Sequence, residues 1–140
     1  MRYSSKKQLD NSHFPDALNT TYVSPRERKL LNNFRYIDDV EGVIVCEAGL
    51  VIDGASFGRL LSPIFGEQHD YDIPAAPHDR LYLNNNVNGR YLTRKQCDEV
   101  LYRAMKCAGF QEYKAKLFYY GVRLFGLRGW YKHRNMESYS

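Results

Sequence analysis

An α+β fold is predicted: a small antiparallel β-meander followed by a three-helix C-terminal half, in a single domain. Three features carry this reading. Short β-branched and aromatic runs separated by turn residues crowd residues 34–52. Helical periodicity with start and stop signals takes over from Thr93. A length of 140 residues at 44% hydrophobic composition suits one core. The domain is expected over 21–132, with a flexible N-terminal arm at 1–20 and a flexible tail at 133–140.

Residues 1–20 are polar and without periodicity, so an arm that orders only against a partner is expected there. Pro25-Arg-Glu-Arg-Lys-Leu-Leu reads as the start of a short helical turn. Strands follow at Phe34-Arg-Tyr-Ile, Val43-Ile-Val-Cys and Leu50-Val-Ile, broken at Asp38-Asp39 and Glu47-Ala-Gly49. Asp53-Gly-Ala-Ser56 closes the last strand with small residues, and residues 62–72 connect it to a helix. Pro77 fits the first turn of that helix, where its missing N–H is no loss.

Asn84-Asn-Asn-Val-Asn-Gly89 is a loop by composition. Thr93 and Gln96 have the spacing of a capping box, opening a helix that runs to Ala108 and stops at Gly109. Cys97, Leu101, Ala104 and Ala108 form its apolar stripe, and Asp98 falls at the margin of the buried face. A third helix over 111–125 is apolar nearly all round and reads as the central packed element. Gly126 ends it, and Leu127 to Tyr131 turn an aromatic lid back onto the fold.

Cys46, Cys97 and Cys107 match no zinc or redox spacing and read as reduced core residues. No run approaches the about 20 apolar residues of a membrane span, and the first residues lack the apolar centre of a secretion signal. No transmembrane segment is expected. Net charge is +4, and from Leu101 to Ser140 eight Lys or Arg face only Glu112 and Glu137. With Tyr119, Tyr120, Trp130 and Tyr131 interleaved, that basic end suits phosphates of nucleic acid or of an anionic membrane, or serves as a solvated helix face. No nucleic-acid motif accompanies it, so the solvated face is preferred.

The chemistry concentrates in Ile73-Pro-Ala-Ala-Pro-His-Asp-Arg-Leu-Tyr82. His78 and Tyr82, at i and i+4, share a helix face, while Asp79 points about 100° away. A histidine base needs an orienting carboxylate from elsewhere, and Asp98 is the candidate. Asp98 pairing instead with Arg80 or Arg123 is the structural alternative. Asp79, with Asp53 at the strand end, offers oxygen ligands for a divalent metal. The plainer reading has His78 as a satisfied residue and Asp79 as a helix-dipole partner.

Asp53-Gly-Ala-Ser56, His78-Asp-Arg-Leu-Tyr82, Arg94 and Asp98, Met105 and Gly109, and Tyr120-Gly-Val-Arg-Leu-Phe-Gly126 with Trp130 together resemble the phage- and prophage-encoded family named domain of unknown function 1353. Phe57-Gly-Arg59 stands where that family has Ile-Pro-Arg. The resemblance implies a tailed phage or prophage setting, with the host cytoplasm or the virion as location. A fainter resemblance links His-Asp-x-x-Tyr to secreted phospholipase A₂. It implies His78 as base, Asp98 as its orienting carboxylate, Tyr82 in support, and Asp79 as ligand to calcium or another divalent metal. Ala75, Ala76 and Leu81 stand in place of that family's cysteines, and Asp53-Gly54 stands in for its calcium loop.

Two functions follow as expectations. The first is a hydrolase-like site of His78, Asp98, Tyr82, Asp79 and Asp53 acting on an ester or amide of the bacterial envelope, metal-assisted. The second is a non-enzymatic virion, tail or assembly protein, partnered by other phage structural proteins, in which the same cluster is a structural network.

Overall fold

The computed structural model describes residues 2–4, 12–25, 27–53 and 71–132. The chain is α+β, with antiparallel strands in its N-terminal half and helices after them. Strands β1 (Arg2–Ser4), β2 (Asn19–Ser24), β3 (Glu27–Leu30) and β6 (Val51–Ile52) form one antiparallel sheet in the order β1-β2-β3-β6. Strands β4 (Phe34–Asp38) and β5 (Gly42–Cys46) form a separate hairpin. Phe34 opposes Cys46 and Asp38 opposes Gly42, whose φ of 88° makes the tight return.

The β4–β5 residues alternate inward and outward with the period of a half-buried ribbon: Phe34, Tyr36, Ile44 and Cys46 are buried while Arg35 and Val43 face out. The strands of residues 34–52 therefore form where the sequence places them, but not as one meander. β6 pairs with β3, with Arg28 opposite Ile52. Residues 27–30 are likewise extended rather than a helical turn, because β2 and β6 satisfy their backbone from both sides. Parts of the expected arm belong to the fold: Arg2–Ser4 pair with β2, Phe14 and Leu18 are 1% exposed, and Phe14 stacks on Tyr36 at 5.0 Å. Two large apolar side chains outweigh the polar composition around them. The proposed tail, 133–140, lies outside the described residues.

Helix α1 (Asp72–Leu83) begins five residues before Pro77, so that proline sits inside the helix and not in its first turn. Its small residues Ala75 and Ala76 are buried, which lets neighbouring backbone approach. Residues 84–89, expected as loop, include half of a minimal hairpin: β7 (Asn86–Val87) and β8 (Arg90–Tyr91) turn at Asn88 and Gly89, both at positive φ. Helix α2 (Arg94–Cys107) carries the capping box in full, with Thr93 accepting from Gln96 N and Gln96 accepting from Thr93 N. Gly109 follows at φ 92°.

Helix α3 (Glu112–Phe125) is not central. Ala115, Phe118, Gly121 and Val122 are buried, but Tyr113, Leu117, Tyr120, Leu124 and Phe125 are exposed. A short α4 (Leu127–Lys132) returns Trp130 to the core, edge-on to Tyr82 at 5.3 Å. The main core joins the sheet residues to α1 and α2; a second cluster of Tyr71, Leu101, Met105, Ala115, Phe118 and Val122 holds α3 to α2. Arg103 on α2 donates to both oxygens of Asp38, whose Oδ1 also accepts from the Tyr36 hydroxyl at 2.7 Å. That buried cluster locks α2 against β4.

Candidate functional site

Asp98 is fully buried and is the point at which three helices meet. His78 and Tyr82 stand one turn apart on α1, as their spacing requires, with ring centroids 4.3 Å apart. Both reach across to the same atom: His78 Nε2 lies 2.8 Å from Asp98 Oδ1, and the Tyr82 hydroxyl donates to it at 2.6 Å. The other oxygen, Oδ2, accepts from Arg123 at 2.9 Å and from Arg94 at 3.5 Å. Arg94 also donates to the carbonyls of Val122 and Arg123, binding the last turn of α3 to the first turn of α2.

The electrostatics follow from these contacts. Burial works against a charge on Asp98, but hydrogen bonds from His78, Tyr82 and Arg123 outweigh it and hold the carboxyl below its ordinary value. Asp98 is therefore the ionised acceptor, and the shared hydrogen sits on His78 Nε2. Burial, and then the charge of Asp98, pushes the Tyr82 hydroxyl up, so Tyr82 stays neutral and donates. In the neutral imidazole this leaves the lone pair on His78 Nδ1, which has no partner among the described residues.

A cavity of about 540 Å³ opens beside this ring. Leu101, Met105, Phe118, Val122 and Phe125 make an apolar wall; Asp53, Asp79, Arg128 and Lys132 add charge. Gly126 is part of the lining for a steric reason: a Cβ there would lie 2.9 Å from the Tyr82 hydroxyl.

The sequence-derived set separates into two groups. His78, Asp98 and Tyr82 converge on one atom, and both Asp98 alternatives hold together, since His78 and Arg123 share its carboxylate. Arg80 does not take part; it caps the end of α1 at the carbonyls of Asn84 and Asn86. Asp79 and Asp53 meet each other, through a backbone N–H: Asp79 Oδ2 accepts from Asp53 N at 2.8 Å. Asp98 is deeper than the margin its helical position implied.

Hard carboxylate oxygens suit calcium or magnesium, but the described residues bring only these two carboxylates to the cavity, against the about six to eight oxygens calcium takes. A different trio, His13, Asp39 and Cys107, has ligand atoms within 4.8 Å of one another, and none of the three lines the cavity. No sequence signal connects those positions. Arg94 could be found from its i to i+4 spacing to Asp98; the apolar wall could not, because it draws on α2 and α3 together.

The family model described as Protein of unknown function (DUF1353) matches residues 28–122. The chain belongs to this family. No curated protein and no solved structure matches it. The matched span runs from β3 to the last turn of α3 and contains Asp53, His78, Asp79, Tyr82, Arg94 and Asp98. Arg123, Phe125 and all of α4 lie beyond it, so the family signature takes in the imidazole, its carboxylate and most of the apolar wall, but not Phe125 or the α4 part of the lining.

Proposed function

We propose that the protein is a hydrolase with His78 as general base, acting on an ester or amide of the bacterial envelope in the phage or prophage setting that its family resemblance implies. One observation carries this reading: His78 gives Nε2 to a buried, ionised aspartate and keeps Nδ1 on a ring that lines a cavity. In the reaction, Nδ1 takes a proton from water, the hydroxide oxygen bonds to the carbonyl carbon, and the bond to the leaving alkoxide or amine breaks. The leaving group receives the proton from Nδ1, so the imidazole is restored. Asp98 fixes the tautomer and stabilises the transient imidazolium, and Tyr82 holds the carboxylate in line.

The Asp38 cluster provides an internal comparison. It has the same carboxylate, tyrosine and arginine chemistry, but neither a histidine nor a place in the cavity lining. A network serving structure alone needs no imidazole.

The second reading is a non-enzymatic virion, tail or assembly protein with a structural cluster. It is favoured by the two guanidinium groups on Asp98 Oδ2, which tie α2 to α3 whatever His78 does.

Release of p-nitrophenol from short- and long-acyl esters, and of free amines or fatty acid from envelope preparations, tests the choice. His78→Gln should lower turnover by about 10²–10⁴, while melting near wild type because Gln can still donate to Asp98. Equal turnover by wild type and His78→Gln overturns the hydrolase reading.

A further inference from the structure

Helix α3 is apolar on two opposite sides, and among the described residues one is buried against α2 while the other is exposed. At about 100° per residue, Tyr113, Leu117, Tyr120 and Leu124 fall within about 60° of one another. The buried Ala115, Phe118 and Val122 lie on the far side, against α2. Leu124 and Phe125 are 74% and 73% exposed, and Leu127 continues the apolar surface onto α4. An apolar stripe of this extent is unfavourable in water without an occupant.

We propose that this face of α3 and α4 docks the protein on an anionic lipid bilayer. The charge distribution selects that occupant. From Glu112 to Lys132 there are five Lys or Arg and a single acid, Glu112, which is engaged by Tyr102 at 2.8 Å. Lys116 flanks the stripe, and Arg128 and Lys132 stand exposed beside its C-terminal end. A second copy of the chain meeting this face across a two-fold axis would set these cations against their own images. Lipid phosphates complement them, and the tyrosines Tyr113 and Tyr120 have the amphipathic rings that suit a headgroup boundary.

The C-terminal end of α3 borders the cavity as well. Phe125 is both exposed and part of the apolar wall, with Arg128 and Lys132 in the lining beside it. Docking itself does not depend on His78 acting as a base.

The test is co-sedimentation of the full chain with vesicles of phosphatidylglycerol and phosphatidylethanolamine, against phosphatidylcholine vesicles. Wild type should pellet with the anionic vesicles, and the bound fraction should fall as salt is raised. Leu117→Gln/Leu124→Gln should weaken partitioning by about tenfold or more, and Lys116→Gln/Lys132→Gln should weaken it on anionic vesicles alone. His78→Gln should bind like wild type, so a failed hydrolase reading and a failed docking reading give different results. Absence of wild-type binding to anionic vesicles at low salt overturns the proposal, and needs no variant to fold. So does self-association in solution that Leu117→Gln/Leu124→Gln abolishes while vesicles capture nothing.

Discussion

Replacing Asp98 with asparagine tests how much of the fold depends on one buried charge. The carboxylate accepts from His78 and Tyr82 on one oxygen and from Arg94 and Arg123 on the other. An asparagine of the same shape must turn its amide N–H₂ toward one of these pairs of donors, so one pair loses its acceptor in either orientation. The arginine pair would also lose its counter-charge. Breaking a buried, hydrogen-bonded ion pair by changing one partner costs about 3–5 kcal/mol. For a domain of this size each kcal/mol moves Tm by about 3 °C, so Tm should fall by about 9–15 °C.

The pH dependence has a defined sign. In the fold the Asp98 carboxyl is held below its ordinary value by His78, Tyr82 and Arg123 in spite of burial. A depressed folded-state value gives a contribution that is present above the unfolded value, about 3.9. It is lost as pH falls through the folded one. Urea unfolding of wild type and Asp98→Asn from pH 8 to pH 3 should therefore show a constant gap down to about pH 5 and a narrowing gap below about pH 4. Asp16 and Asp38 are also depressed, by Arg35 and by Arg103 with Tyr36, so wild type alone will weaken in acid. The difference between the two proteins isolates Asp98. A gap under about 1 kcal/mol at pH 7, or one that stays flat to pH 3, refutes this account of the cluster.

Other perturbations have equally definite outcomes. Gly126→Ala places a Cβ 2.9 Å from the Tyr82 hydroxyl and 2.5 Å from the Val122 carbonyl; chemical denaturation should show a loss of about 1–3 kcal/mol, as overpacking does. Thr93→Ala removes the acceptor for Gln96 N, and the same assay should register about 1 kcal/mol. Burial pushes the Cys46 thiol up to about 12, whereas Cys107 is only half-buried. Mass spectrometry after iodoacetamide at pH 8 should find Cys107 alkylated before Cys46 or Cys97, and early modification of Cys46 would contradict its place in the core.

Local chemistry was legible in the sequence wherever neighbours along the chain decide it. Thr93 and Gln96 cap α2 because the partners are three residues apart, and Gly109 ends the helix because its own φ permits it. Phe34, Tyr36, Ile44 and Cys46 face inward by strand alternation, and His78 and Tyr82 share a face by helical period. Those residues fixed the element types, the α+β class and the imidazole with its tyrosine. Tertiary structure alone decided what met them. Pairing of β3 with β6, and of Asp98 Oδ2 with Arg123, joins positions more than twenty residues apart, and periodicity has no way to choose among such partners. Phe14 and Leu18 could be assigned to the core only once the surface of β4 was in place to receive them. The apolar composition of α3 specified a helix with two sticky faces; which face the protein itself covers depends on where α2 lies, and burial is a property of the assembled chain and not of the segment.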